Sequence, residues 1–106
     1  MCGITGAVWT NPKKRVSSEL LSKMTAVIRH RGPDDEGFFR NESFESQEQK
    51  IGVALGFRRL SIIDLVGSRQ PIANEDGSIQ AVFNGEIYNY KEIREELLAK
   101  GHQFRT

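Results

Sequence analysis

The chain has 106 residues, 38% of them hydrophobic and 27% charged, with a formal net charge of +1 and a single cysteine, which fits one soluble domain or part of one. The small net charge argues against a nucleic-acid or membrane-surface partner, and no apolar run approaches the roughly 18 residues of a membrane span. A lone cysteine excludes an internal disulfide, and the N-terminus lacks the basic and apolar segments of a secretory signal, so we expect a cytoplasmic protein.

The first half of the chain predicts a strand, a helix and two more strands. Residues 3–9 are apolar and partly β-branched, and their two glycines suggest that another backbone or a ligand lies close. Ser17 and Ser18 are both good N-caps for a helix whose apolar face comprises Leu20, Leu21, Met24, Val27 and Ile28 and which ends at Gly32-Pro33. Residues 37–40 and 51–57 predict strands, the second continuing through 58–65, with the polar residues 41–50 as a loop.

The second half predicts a hairpin followed by a helix. Glu75-Asp76-Gly77 is typical of a hairpin turn, with residues 79–83 as the returning strand. A helix is expected from about Tyr90 to Lys100, with Asn89 as N-cap and Gly101 as the stop. Strands outnumber helices and short turns join several of them, which favours an α+β fold with antiparallel sheet.

Cys2 is the first candidate for chemistry. If Met1 is removed, Cys2 carries both a thiol and a free α-amine, which is partly neutral at pH 7 and can accept a proton. The thiol would then be a nucleophile with its own base. The alternative is that a lone cysteine is a small buried hydrophobe, which is the commoner case when nothing else points to chemistry.

Three other groups of residues bear on this choice. Arg58-Arg59 ends an apolar strand, where an arginine fork suits bidentate binding of a carboxylate, although for this pair taken alone an ordinary strand-end salt bridge is the favoured explanation. Asn84-Gly85-Glu86 is either a hairpin turn or a pair of oxyanion donors, the Asn84 amide and a backbone N–H at Gly85, beside a carboxylate that suits an ammonium group.

The third group is the charged turn of residues 29–34. His30 lies within it, and we expect a structural role for His30, because an N-terminal cysteine has its own base. One cysteine and two distant histidines match no metal-ligand spacing, so no metal site is expected. Together the groups supply a nucleophile, a base, oxyanion donors, a carboxylate clamp and an ammonium partner, which fits an amino acid with an amide side chain, most economically glutamine.

Five stretches carry a resemblance to a known family. In order they are Cys2-Gly3-Ile4, Arg29-His30-Arg31-Gly32-Pro33-Asp34, Arg59-Leu60-Ser61-Ile62-Ile63-Asp64, Gln70-Pro71 and Asn84-Gly85-Glu86-Ile87-Tyr88-Asn89. In residue identity, order and spacing, and over the whole chain, they resemble the class II glutamine amidotransferase domain of asparagine synthetases. The first and last stretches are shared by class II amidotransferases generally, whereas the second and third point to the asparagine synthetase branch.

The resemblance implies a fold and a set of roles. The fold is that of the N-terminal nucleophile hydrolases, an α/β/β/α sandwich of antiparallel sheets, of which about half is expected in residues 1–106. Cys2 would attack the side-chain amide of L-glutamine through a thioester, with Asn84 and Gly85 as the oxyanion hole. The substrate-binding residues implied are Arg59 for the α-carboxylate, Glu86 for the α-amino group, Asn84 and Gly85 again, and Leu60, Ser61, Ile62 and Ile63 along the pocket.

The resemblance also implies partners beyond this chain. Ammonia would pass to a C-terminal synthetase domain of the same protein, absent here, which uses ATP and Mg²⁺ to amidate aspartate; no cofactor is expected in residues 1–106. The family domain is close to twice this length, and a further substrate-binding aspartate would fall just past Thr106. We therefore predict that the 106 residues are not an active synthetase and are a poor glutaminase. The oligomeric state stays open, with a homodimer as one option.

Two alternatives remain at this point. One is another class II amidotransferase with a sugar-phosphate or phosphoribosyl acceptor, against which the Gly32-Pro33-Asp34 triplet argues. The other is a non-catalytic interaction domain that keeps the fold, against which the presence of Cys2, Arg59 and Asn84-Gly85-Glu86 argues. Retention of Met1 would favour the second alternative, because the free amine would then belong to the wrong residue.

Overall fold

A computed structural model describes residues 2–46, 49–60 and 69–104. Its largest element is an antiparallel sheet in the order β1-β3-β2. The strands are β1 (Gly3–Trp9), β2 (Asp35–Ser46) and β3 (Gln49–Arg59). Two further short strands and two α-helices complete the described chain, which confirms an α+β class with antiparallel sheets.

Helix α1 (Ser18–Val27) begins as the sequence predicts. The Ser17 hydroxyl accepts a hydrogen bond from the Leu20 backbone N–H at 3.1 Å, which satisfies one of the donors that a helix N-terminus leaves open. The α-helix ends earlier than expected, and a 3-10 turn, Arg29–Arg31, leads to Gly32. A tightened last turn of this kind is a common way to satisfy terminal carbonyls.

Helix α1 packs on one face of the sheet and forms the core there. The buried cluster consists of Trp9, Val16, Leu21 and Ala54. Thr25 is also fully buried, and its hydroxyl donates to the Leu21 carbonyl at 2.8 Å. Leu20 and Val27 belong to the predicted apolar face but are exposed. The polar Thr25 lies inside because Gly56 leaves room for its hydroxyl against the sheet.

The hairpin of β2 and β3 is longer than predicted. Residues 41–50 were expected to form a loop, and this prediction is wrong, because β2 continues to Ser46 and β3 starts at Gln49. The pairing shifts register between Asn41 and Phe44, a bulge that separates the two parts of the hairpin. Backbone pairing across two antiparallel strands does not require apolar side chains, so the polar composition was a poor guide.

The C-terminal part consists of a small hairpin and a helix. Strands β4 (Ile72–Ala73) and β5 (Gln80–Ala81) flank the predicted turn, so the returning strand is shorter than residues 79–83. Gly77 in that turn has a φ of +76°, which favours glycine. Helix α2 (Tyr90–Ala99) matches the expectation, and Gly101 follows it with a φ of +92°.

The N-cap of α2 differs from the prediction in one respect. Asn89 occupies the cap position, but its side chain makes no capping hydrogen bond. The turn before the helix is closed instead by a backbone hydrogen bond from Tyr90 to Ile87 at 3.2 Å. None of the helices in the described parts of the chain combines the length and apolar character needed to cross a membrane.

Candidate active site

The register of the sheet brings Cys2 to the end of β3. Gly3 lies opposite Arg58, so extending the pairing by one residue places Cys2 opposite Arg59. Side chains alternate between the faces of a strand, so Cys2 and Arg59 lie on the face away from α1. The thiol is half-buried, and its sulfur accepts the Leu60 backbone N–H at 3.5 Å, which orients the side chain.

Asn84 reaches the same place from the other end of the chain. Its side-chain Nδ2 donates to the backbone carbonyl oxygen of Cys2 at 3.0 Å. An amide nitrogen carries two N–H bonds, so this contact uses one donor and positions the other. The structure therefore brings together two candidates that are separated by 81 intervening residues.

Cys2 and Asn84 both line a cleft of about 450 Å³, a volume that suits a small molecule. The other lining residues are Gly3, Ile4, Ile28, Arg31, Val82 and Phe83. Gly3 permits this shape, because a Cβ there would lie 3.0 Å from the Arg31 Cβ and 3.1 Å from the Ile28 Cδ1.

The two adjacent arginines have different environments. Arg58 is 6% exposed, donates to the Gly32 carbonyl at 2.8 Å and pairs with Glu36 at 2.8 Å. These contacts anchor the turn after α1 to the sheet, so Arg58 has the structural role. Arg59 is half-exposed and accepts the Asp34 backbone N–H at its carbonyl, at 3.0 Å.

The remaining predicted residues are placed only in part. Gly85 and Glu86 are exposed and directly follow Asn84, although neither lines the cleft. A side chain at position 85 would overlap the Phe83 ring, whose Cζ would lie 2.8 Å from the new Cβ. Leu60 contacts the Cys2 sulfur, whereas Ser61, Ile62 and Ile63 lie outside the described residues, as does Met1.

Sequence reasoning missed the side of the cleft formed by Val82 and Phe83. Both residues fall in the predicted returning strand of residues 79–83, and only the folded structure shows that they line the same cleft as Cys2. Arg31 carried a signal, because it belongs to the charged turn of residues 29–34, but nothing local placed that turn beside Cys2. His30 is exposed within this turn and does not line the cleft.

Comparison with known families identifies the type of domain. Residues 1–106 match the family model of a glutamine amidotransferase domain. The chain belongs to this family. The glutamine amidotransferase domain is 45% identical to asparagine synthetase (glutamine-hydrolyzing) 1 of Bacillus subtilis, over 100% of the chain and 16% of the relative.

Similar proteins occur in two other organisms. A putative asparagine synthetase (glutamine-hydrolyzing) 1 of Methanocaldococcus jannaschii is 38% identical over 100% of the chain and 21% of its own length. Asparagine synthetase (glutamine-hydrolyzing) 1 of Arabidopsis thaliana is 35% identical over 100% of the chain and 16% of its own length. No solved structure matches the chain significantly.

These relatives distinguish between the alternative functions that the sequence left open. The glutamine amidotransferase domain is homologous to the glutaminase part of asparagine synthetases, and a sugar-phosphate or phosphoribosyl branch is not favoured. The chain spans 16% and 13% of the length of two Bacillus subtilis relatives, so it corresponds to a small part of each.

Proposed function

We propose that the chain hydrolyses the side-chain amide of L-glutamine and supplies the ammonia to an asparagine synthetase reaction. The observation that carries the proposal is the cleft that contains both the only thiol of the chain and the Asn84 amide. A thiol and an amide donor in one cleft are the parts that acyl transfer needs, namely a nucleophile and a group that stabilises an oxyanion.

The reaction starts at Cys2 once Met1 has been removed. The α-amine of Cys2 takes the thiol proton, and the sulfur attacks the amide carbon of glutamine, so that the carbonyl oxygen becomes an oxyanion. The tetrahedral intermediate collapses as the amine returns the proton to the leaving nitrogen, which departs as ammonia. Water then hydrolyses the γ-glutamyl thioester to glutamate and regenerates the thiol.

The Asn84 amide and the Gly85 backbone N–H are proposed to donate to that oxyanion. Asn84 is already held against the Cys2 backbone at 3.0 Å, so its donor does not have to be reoriented during the reaction. Preorganised donors of this kind contribute about 10²- to 10³-fold to kcat. Gly85 supports the arrangement, because its missing side chain leaves space for the Phe83 ring.

The substrate's charged end is proposed to bind on the other side of the thiol. Arg59 lies on the same face as Cys2 at the end of β3 and would bind the α-carboxylate with its guanidinium fork. Glu86 would pair with the α-amino group, and Leu60 with Ser61, Ile62 and Ile63 would line the pocket. Two opposite charges around the substrate would select an amino acid over a simple amide.

We further propose that this sheet is one layer of an N-terminal nucleophile hydrolase sandwich. The even-numbered residues of β1 support this, because Ile4 is 50% and Val8 is 70% exposed on the face away from α1. An apolar face of this kind is normally covered by a second sheet or helix layer. The synthetase reaction itself, with ATP, Mg²⁺ and aspartate, is assigned to a further domain of the protein.

The decisive experiment uses the full natural protein and its Cys2→Ala variant. Glutamate release from glutamine should be lost in the variant, whereas asparagine formation from added ammonia should persist and so shows that the protein remains folded. Glutamate release at the wild-type rate by Cys2→Ala would disprove the mechanism. Mass spectrometry of the purified protein checks the accompanying condition, which is a mature N-terminus at Cys2.

A further inference from the structure

The side chain of Gln70 makes a two-point contact with the backbone of Phe83. Its Nε2 donates to the Phe83 carbonyl at 3.0 Å, and its Oε1 accepts the Phe83 N–H at 2.6 Å. The Gln70 amide therefore satisfies the donor and acceptor of one residue, as a neighbouring strand would. Phe83 directly precedes Asn84, so this contact holds the backbone from which the Asn84 side chain extends.

Gln70 is in turn fixed to the sheet. Its backbone carbonyl lies directly over Gly37 in β2, where a side chain of any size would overlap it. Arg69 pairs with Asp35 of the same strand at 3.6 Å. The segment before β4 is thus attached to β2 on one side and to Phe83 on the other.

These contacts form a continuous path from the sheet to the backbone of Cys2. Gly37 of β2 supports Gln70, Gln70 holds Phe83, and the next residue, Asn84, donates to the Cys2 carbonyl. Phe83 is 49% exposed. The position of Asn84 therefore depends on polar contacts rather than on burial of the loop that carries it.

We propose that Gln70 is a positioning residue for glutamine hydrolysis, acting through Phe83 to hold the Asn84 amide at the thiol. This inference rests on the proposed function. Gln70 does not itself line the cleft, so it acts on the reaction through the backbone of Phe83 and the Asn84 amide that follows. A small displacement of a catalytic donor lowers the rate of the chemical step more than it weakens substrate binding.

The primary test is Gln70→Leu in the full natural protein. Leucine approximates the volume of glutamine but makes no hydrogen bond, so kcat for glutamate release should fall about 10- to 100-fold with KM changed less than about threefold. Gln70→Glu keeps the acceptor for the Phe83 N–H and loses the donor to the Phe83 carbonyl. Its kcat should therefore lie between those of the wild type and Gln70→Leu. Gln103→Leu, the same change at an exposed glutamine, serves as the control with unchanged kcat.

A double-mutant cycle separates positioning from a general structural effect. If Gln70 acts through Asn84, then Gln70→Leu should lower kcat by less than about twofold in an Asn84→Ala background. If the double variant instead loses kcat by the product of the two single-variant factors, the two residues act independently and the proposal is overturned. Raised KM with unchanged kcat in Gln70→Leu would overturn it as well.

Amide hydrogen exchange gives a readout that does not depend on activity. The Phe83 N–H should exchange at least tenfold faster in Gln70→Leu than in the wild type, and an unchanged rate would overturn the proposal that Gln70 holds the Phe83 backbone. Glutamate release by Cys2→Ala would overturn the proposed function and the catalytic consequence assigned to Gln70 together. An inactive Cys2→Ala with wild-type kcat in Gln70→Leu would overturn the role of Gln70 alone.

Discussion

Two regions of the molecule meet at the cleft, and they are built differently. The sheet region, described residues 2–46 and 49–60, contains every buried hydrophobic residue of the described chain, namely Trp9, Val16, Leu21, Ala54 and Phe57. The hairpin region, residues 69–104, contains no residue that is buried in the described structure. Helix α2 accordingly lacks a buried position even though its sequence is amphipathic.

The regions are joined by polar contacts and one close approach. Arg69 pairs with Asp35, Asn84 donates to Cys2, and the Gln70 carbonyl lies over Gly37. The thiol thus belongs to a packed scaffold, whereas its proposed oxyanion donor belongs to a region positioned by individual hydrogen bonds. Substitutions should therefore affect stability mainly in the first region and the rate of the reaction mainly in the second.

The largest expected difference concerns two leucines on the two α-helices. Leu21→Ala should lower the free energy of unfolding by about 2–5 kcal/mol, because Leu21 is 1% exposed and its removal leaves a cavity. Leu98→Ala, at a residue that is 44% exposed, should change it by no more than about 0.5 kcal/mol. Urea unfolding of both variants measures the two values, and equal losses would remove the distinction between the regions.

The next effect is on the reaction. Asn84→Ala should lower kcat for glutamate release by about 10²- to 10³-fold, because the oxyanion would lose one of its two proposed donors. The same variant should leave the urea midpoint nearly unchanged, since Asn84 is exposed. Steady-state kinetics and unfolding on the same preparation test both statements, and a large loss of stability would show that Asn84 is a structural residue.

The adjacent arginines offer a contrast within the sheet region. Arg58→Met should lower the free energy of unfolding by about 1–3 kcal/mol, because the turn at Gly32 loses a charged hydrogen-bond donor. Arg59→Met should instead raise KM for glutamine, by about tenfold or more, through loss of carboxylate binding. Unfolding curves and glutamine titrations of both variants distinguish the roles, and an unchanged KM in Arg59→Met would contradict the proposed substrate contact.

The smallest effect is a pH dependence in the hairpin region. The Ser78 hydroxyl and backbone N–H donate to Asp76 at 2.6 and 3.0 Å, and they hold the pKa of that carboxyl below its ordinary value. A carboxyl with a depressed folded-state pKa stabilises the fold above its unfolded pKa, and this contribution is lost as the pH falls below about 4.

Asp76→Asn tests this sign. As the pH is lowered from 5, the free energy of unfolding of the wild type should fall slightly more than that of the variant. Above pH 5 the two free energies should change with pH in the same way. NMR titration of the Asp76 carboxyl measures the pKa directly. A midpoint above the ordinary aspartate value would reverse the expected direction.

Much of the local structure follows from short-range chemistry that can be read along the chain. Ser17 caps α1 through its hydroxyl, and Gly77 and Gly101 take the positive φ that a turn and a helix end require. Helix α2 is found within one residue of the predicted bounds. Such features depend on neighbouring residues only, so no knowledge of the fold is needed to predict them.

Other features depend on pairing or packing partners that are distant in sequence. Most of the polar residues expected to form a loop belong to strands instead, because Asn41, Phe44, Glu45 and Ser46 of β2 each have a backbone partner on β3. Leu20 and Val27 are exposed while Thr25 is buried, because Gly56 of the sheet decides which side of α1 fits closely. Neither outcome can be obtained from periodicity, which describes a helix or strand without its neighbour.

Residue types and motifs along the chain were enough to single out Cys2 as a candidate nucleophile and Asn84 as a candidate donor, and to indicate the family that the comparison then established. The folded chain was needed to show that the Asn84 amide meets the Cys2 backbone, that Arg58 is buried while Arg59 lies on the same face as Cys2, and that Gln70 holds Phe83. The physical reason is that residue identity fixes what a group can do, whereas strand register and loop anchoring fix what it can reach.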